Sequence, residues 1–131
     1  MPYHLDTDIC SAAMKGDTRV QDRMRAHVGD LYLSTIVLGE LYCGALHSQR
    51  VAKNLEVLAE FVSGVVLVPF DALAARVYGE ICAELLRSGR PTGEKDALIA
   101  AIAQQHRASL VTHNTRHFQN IPGLILEDWT G

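Results

Sequence analysis

His4-Leu5-Asp6-Thr7-Asp8-Ile9 is the stretch on which the reading of the chain turns. Tyr3 to Leu5 is a short apolar run, expected as a buried strand, and two acids flanking a hydroxyl follow it at once. A strand that ends in acids presents them at the carboxyl edge of a sheet, where open α/β folds keep their ligands. Asp6 then has two readings. If distant carboxylates meet it at that edge, the site wants a metal ion. If none do, Asp6 and Asp8 are ordinary helix-capping residues.

Outward from this stretch, strand and helix signals alternate. Ile9 to Lys15 is expected as a brief helix with Asp8 as its cap, ending at Gly16. Asp17 and Thr18 offer the cap of a second helix, with Val20, Met24 and Val28 at four-residue spacing. Leu31-Tyr32-Leu33-Ser34-Thr35 reads as the second strand, and Val65-Val66-Leu67-Val68, continuous and β-branched, as a buried third. Ser109-Leu110-Val111-Thr112 reads as a fourth and Leu124-Ile125-Leu126 as a fifth. Between them lie a helix from Ile36 to Leu46, apolar nearly all round, and one carrying Val51, Leu55, Leu58 and Val62. A long helix capped by Asp71 is stopped by Gly89 and Pro91, and another runs from about Glu94 to His106. This order predicts α/β architecture: a three-layer α/β/α sandwich around a mainly parallel sheet of four to five strands, with extra helices at the edge, in a single domain over residues 1–131.

Composition narrows the function classes. Hydrophobic residues make up 48% and charged residues 21%, the balance of a globular chain. No run reaches the roughly 18 apolar residues of a membrane span, and Asp6 and Asp8 stand where a signal peptide needs its apolar core, so a cytoplasmic location is expected. The three cysteines, Cys10, Cys43 and Cys82, show no CxxC spacing and read as small core residues in a reducing compartment. A formal net charge of −3 leaves no bulk electrostatic footprint for nucleic acid, so a nucleic-acid enzyme of this composition needs bound cations.

Three further positions join Asp6. Glu40 is the only formally charged side chain between Asp30 and Arg50, set among Val37, Leu38, Leu41, Tyr42 and Cys43, with no Lys or Arg one helical turn away. A carboxylate desolvated there needs a partner, unless that face of the helix reaches water. Asp96 opens a helix whose dipole Glu94 already complements, which frees Asp96 for another task. Thr112-His113-Asn114 closes the fourth strand, as a turn or as part of a site. Parallel topology carries these positions to one edge. Carboxylates about 5 Å apart repel by roughly 3 kcal/mol per pair at an effective dielectric near 20, so such a cluster stays partly protonated or holds cations. Hard oxygen donors select Mg2+ or Mn2+, ions suited to clamping a phosphodiester. Two weaker signals fail on detail. Gly89-Arg90-Pro91-Thr92-Gly93-Glu94-Lys95 is one residue short of a phosphate loop and lacks its Ser or Thr. His113 and His117 share the spacing of a zinc pair without the HExxH glutamate.

Taken together, the chain resembles the PIN-domain ribonucleases, and within them the VapC toxins of bacterial toxin–antitoxin pairs. The ordered set that carries the resemblance runs nearly end to end: Leu5-Asp6-Thr7-Asp8-Ile9, Ser34 through Leu41, Val68-Pro69-Phe70-Asp71, Gly93 through Ala101, Leu110 through Phe118, and Pro122-Gly123-Leu124. The resemblance implies a Mg2+-dependent endoribonuclease, Mn2+ being a possible substitute, that cuts structured RNA such as tRNA or rRNA. It matches Asp6, Glu40 and Asp96 to the metal-binding acids and Asn114 to a fourth catalytic position that is often Asp. His117 stands where an acid is common, so Asn114 or Asp8 is left to complete the site. It also implies that Thr7, Ser34, Thr35 and Thr112 orient carboxylates or water, and that Arg116 and Lys95 contact RNA phosphates. A homodimer, a VapB-type antitoxin and operator DNA reached only through that antitoxin complete the expectation. Two alternatives stand beside it: a non-catalytic binding module on the same fold, and a receiver-like phosphotransfer domain, which lacks here the lysine after a late strand.

Overall fold

A computed structural model describes residues 2–90 and 92–131, so the expected stop at Pro91 lies outside the described residues. Among the described residues the short apolar runs form five strands: β1 (Tyr3–Leu5), β2 (Leu31–Ser34), β3 (Val66–Val68), β4 (Ser109–Val111) and β5 (Ile125–Glu127). All pair in parallel, in the order β3-β2-β1-β4-β5. Parallel neighbours need crossovers, and the helices supply them: α1 (Thr7–Met14), α2 (Thr18–Ala26), α3 (Thr35–Leu46), α4 (Val51–Val62), α5 (Ala72–Ser88) and α6 (Glu94–Gln105). The chain steps outward from β1 through β2 to β3, then returns to the far side of β1 for β4. That reversal makes the carboxyl ends of β1 and β4 a topological switch point, the crevice where such sheets bind ligands.

The register is what matters for function. Leu5 pairs with Val111, and the ladder continues one step, the Asp6 N–H donating to the Val111 carbonyl at 2.9 Å. Asp6 and Thr112 therefore leave the sheet side by side. Beneath them lies the core of Leu5, Ile9, Leu33, Leu110, Val111 and Phe118. α6 buries Ala97, Ala100, Ala101 and Ala103 together with Ile99 and Ile102. Its small side chains let it lie close to α5 and the sheet. Behind β5, the buried Trp129 packs on Tyr3 and His27, and its indole N–H donates to Glu127.

Helix starts follow cap chemistry. Asp17 accepts from the Arg19 and Val20 N–H groups, Asp71 from Ala74 at 2.9 Å, and α5 ends on Gly89 in the left-handed region at φ 66°. Five local expectations need correction. Asp6, not Asp8, is the N-cap of α1, accepting from the Thr7 N–H at 2.8 Å, and the helix starts two residues earlier than expected. Val28 lies beyond the end of α2 and is exposed. β3 is an edge strand with Val66 and Leu67 exposed, because an apolar run does not reveal whether both faces are covered. β5 is displaced by one residue, to Ile125–Glu127. Among the cysteines only Cys10 is buried, whereas Cys43 is exposed and Cys82 half-buried.

Candidate active site

A concavity of about 240 Å³ at the carboxyl edge is lined by Asp6, Thr7, Asp8, Glu40, Asp96, Asn114 and His117. Its members come from four places. Asp6, Thr7 and Asp8 follow β1, Glu40 is midway along α3, Asp96 is in the first turn of α6, and Asn114 and His117 follow β4. Residues separated by most of the chain meet because β1 and β4 are neighbours.

Asp6 is buried and its plane is fixed. The Thr7 N–H donates to Oδ1 at 2.8 Å and the Thr112 hydroxyl to Oδ2 at 2.8 Å. Each oxygen keeps a lone pair for a ligand. Burial pushes the Asp6 carboxyl up to about 6. The Thr112 and Thr7 hydrogen bonds oppose that rise, while the negative charges of Asp8 and Asp96 add to it. Asp96 is also raised, first by burial and then by Glu40, with His117 and Lys95 pulling the other way. Glu40 is the half-buried helix carboxylate that wanted a partner. Its Oε1 accepts from the Thr7 hydroxyl at 2.7 Å, and Lys95 Nζ lies 3.3 Å from Oε2. The cation comes from α6, not from α3 itself, so a search along the helix does not find it. His117 Nδ1 lies 3.6 Å from Asp96 Oδ2.

Asp8 lines the same pocket but is committed to backbone. It accepts from its neighbour's N–H, that of Ile9, at 2.8 Å and from the His113 N–H at 3.0 Å, tying the start of α1 to the loop after β4. Asn114 sits in the lining, and its N–H donates to the Thr112 hydroxyl at 3.0 Å. Thr7 and Thr112 thus orient Asp6 and Glu40. Ser34 does not: its hydroxyl accepts from the Val37 N–H at 3.1 Å and caps α3, while Thr35 is exposed beside it. Arg116 is exposed on the turn Thr115–His117 that follows Asn114.

Four acids face one lysine in this lining and its rim, an excess of negative charge in a half-dry cleft. Among the described residues, no three His, Cys, Asp or Glu side chains are already gathered around a common point for an ion. Lys95 and His117 occupy Glu40 and Asp96 instead. By donor chemistry the four acids and the Asn114 carbonyl still fit a hard divalent cation: oxygen donors, one carboxylate buried and fixed, and mutual repulsion that a cation relieves.

The Thr112→Val variant tests this construction. It keeps the shape but leaves Asp6 Oδ2 without its donor, so the Asp6 pKa rises further and the acid limb of the cleavage–pH profile moves to higher pH. Unfolding in urea should show a loss of about 1–3 kcal/mol. An unmoved acid limb would mean that Asp6 ionisation does not govern activity.

The chain has relatives among known proteins over nearly its whole length. The PIN domain family matches residues 3–124. The tRNA(fMet)-specific endonuclease VapC of Shigella flexneri is 40% identical over 99% of both chains. Ribonuclease VapC2 of Rickettsia felis is 37% identical over 98% of both. Among solved structures, the DNA-bound VapBC complex from Salmonella typhimurium superposes with a TM-score of 0.94 at 35% identity, covering 98% of each chain. VapBC2 from Rickettsia felis, bound to a DNA fragment from its promoter, gives 0.93 at 36% identity, covering 98% of this chain and 99% of that one. The chain therefore belongs to the PIN-domain family and, within it, to the VapC ribonucleases.

Proposed function

We propose that this chain is the toxin of a VapB–VapC pair, an endoribonuclease that hydrolyses phosphodiester bonds in structured RNA, with tRNA or rRNA as substrate, and so inhibits translation. The observation that carries the reading is the meeting of Asp6, Glu40 and Asp96 in one pocket at the switch point, beside Asn114. Relatives named as endonucleases and ribonucleases at 37–40% identity over nearly the whole chain support it.

Asp6, Glu40 and Asp96 would hold Mg2+, with Mn2+ as substitute, and Asn114 offers a neutral carbonyl beside them. Once bound there, an ion would supply Lewis-acid chemistry suited to phosphodiester hydrolysis. The chain's own residues do the rest. Thr112 and the Thr7 backbone fix the Asp6 plane, and the Thr7 hydroxyl fixes Glu40. Lys95 pairs with Glu40 and His117 stands beside Asp96 in the free protein, both placed to turn toward a phosphate. Arg116 is a second phosphate contact at the rim.

An antitoxin of the VapB kind is the partner, through which the toxin reaches operator DNA, a reading supported by the related VapBC complexes bound to DNA. α3, α5 and β3 leave Tyr42, Leu46, Leu73, Leu86, Val66 and Leu67 exposed, apolar surface in keeping with a homodimer. No helix among the described residues is long and apolar enough to cross a membrane. A cytoplasmic location follows from the RNA substrate proposed above.

Expression of the chain alone should arrest growth, with fragments appearing in the tRNA or rRNA pool. Co-expression of its antitoxin should restore both growth and intact RNA. Arrest with RNA intact would point to the non-catalytic binding reading instead.

A further inference from the structure

A second, larger groove of about 570 Å³ adjoins the carboxylate pocket, and Thr7 and Glu40 line both. Its floor is apolar, with Leu41, Val57 and Leu58. Its rim carries Lys15 and Lys53, and Asn54 and Ser48 stand in its wall. Asn54 Nδ2 donates to Ser48 Oγ at 2.9 Å, and Ser48 Oγ donates onward to the Ala45 carbonyl at 2.6 Å, which leaves the Asn54 carbonyl oxygen unengaged among the described bonds.

Charge placement here is not neutral to folding. α4 opens without a side-chain cap and without an acid in its first turn, and Arg50 and Lys53 stand there instead. Cations at the positive end of a helix dipole are unfavourable, and departures from local rules concentrate where a site needs them. Lys15 and Lys53 also make no ion pair among the described residues. An anion at this rim relieves both the cations and the free N–H groups of the helix start.

We propose that this groove holds the nucleotide next to the scissile phosphate. Its base is turned out of the stack onto the apolar floor, its edge is read by Asn54, and its flanking phosphates are held by Lys15 and Lys53. The inference rests on the ribonuclease reading and adds to it the residues that set position and base preference. Three features favour RNA as the occupant. The groove is continuous with the carboxylates, its rim is cationic in a chain of net charge −3, and its amide presents a donor and an acceptor, the pair that base edges answer.

The test uses full-length protein, a random-sequence RNA library read by sequencing, and total tRNA for kinetics. Lys15→Ala with Lys53→Ala should raise KM about tenfold with kcat little changed, and make the salt dependence of KM shallower by roughly one power per lost contact. Asn54→Leu should alter the base preference at one position beside the cut. Arg76→Ala, exposed and distant in sequence from the groove lining, is the charge control and should change neither. Should Asn54→Leu not fold, Asn54→Asp, which removes the donor but keeps the size, reads the same preference. Unaltered KM, salt slope and base preference would overturn the proposal. So would lysine variants that weaken antitoxin inhibition alone, which would assign the groove to the antitoxin. Failure of the unaltered protein to cut any RNA would instead overturn the ribonuclease reading itself.

Discussion

Asp96→Ala is expected to lower RNA cleavage by about a hundredfold to a thousandfold while leaving the fold in place, the scale at which losing one fixed electrostatic element of an active site is felt. The fold should survive because Asp96 supports little else. The N-cap position of α6 is Gly93, Glu94 also serves the first turn, and the core face of the helix is built from Ala97, Ala100 and Ala101. The loss of one acid near the helix dipole costs about 0.5 kcal/mol. The loss at the site is larger, since Asp96 is the one carboxylate that α6 brings to the pocket of Asp6 and Glu40. Cleavage assays on total tRNA at matched stability decide it. Cutting that survives Asp96→Ala at the full rate would remove Asp96 from the centre.

Asp6→Asn should abolish cleavage and make the protein more stable above pH 6. Asp6 titrates near 6 in the folded chain against 3.8 as its usual value. Between those values the folded state binds more protons than the unfolded one, so stability falls as pH rises through that window, and the full penalty is present above pH 6. By linkage this is on the order of 1–3 kcal/mol. Asparagine removes the charge, remains a good N-cap and can still accept the Thr7 N–H. The Thr112 hydroxyl can then accept from the new amide and turn its proton toward Asp8 Oδ2, 3.5 Å away. His4 works in the opposite direction. Burial, with His106 adding, pushes its imidazole down to about 4 from 6.5, so its contribution is lost as pH falls through that range. Between about pH 4 and 6 the contributions of these two groups oppose one another in the parent protein. Asp6→Asn should gain stability at pH 7.5 and expose the acid sensitivity of His4. Urea unfolding at pH 5 and 7.5 measures both, and a variant no more stable at pH 7.5 would contradict the account of the buried carboxylate.

Much of this architecture is legible in the residues, for stated reasons. Strand runs bounded by Gly, Pro or Asp and helices spaced by caps establish the alternation, and alternation implies a parallel sheet. Glu40 is conspicuous because a lone charge in an apolar helix demands a partner. What stays hidden is long-range. Nothing near Glu40 in sequence announces Lys95 or the Thr7 hydroxyl, because both reach it through the packing of α3 against α6 and α1. Asp6 and Asp8 look alike locally, and only the β1–β4 register decides that Asp6 meets Thr112 while Asp8 binds the His113 backbone. The apolar run at β3 suggested burial, yet strand order puts it at the edge. Cys43 suggested core, yet its face of α3 is open. His117 stands where the family often has an acid, and the structure places it against Asp96, a contact no local pattern contains.

The pocket of Asp6, Glu40 and Asp96 is proposed to cut RNA with a divalent cation. Cleavage of total tRNA by the purified chain, followed through a Mg2+ titration and then a chelator, tests it most directly. No cutting is expected without the ion, with cutting that saturates with Mg2+ or Mn2+ and arrest on chelation. Cleavage undiminished by the chelator would contradict it.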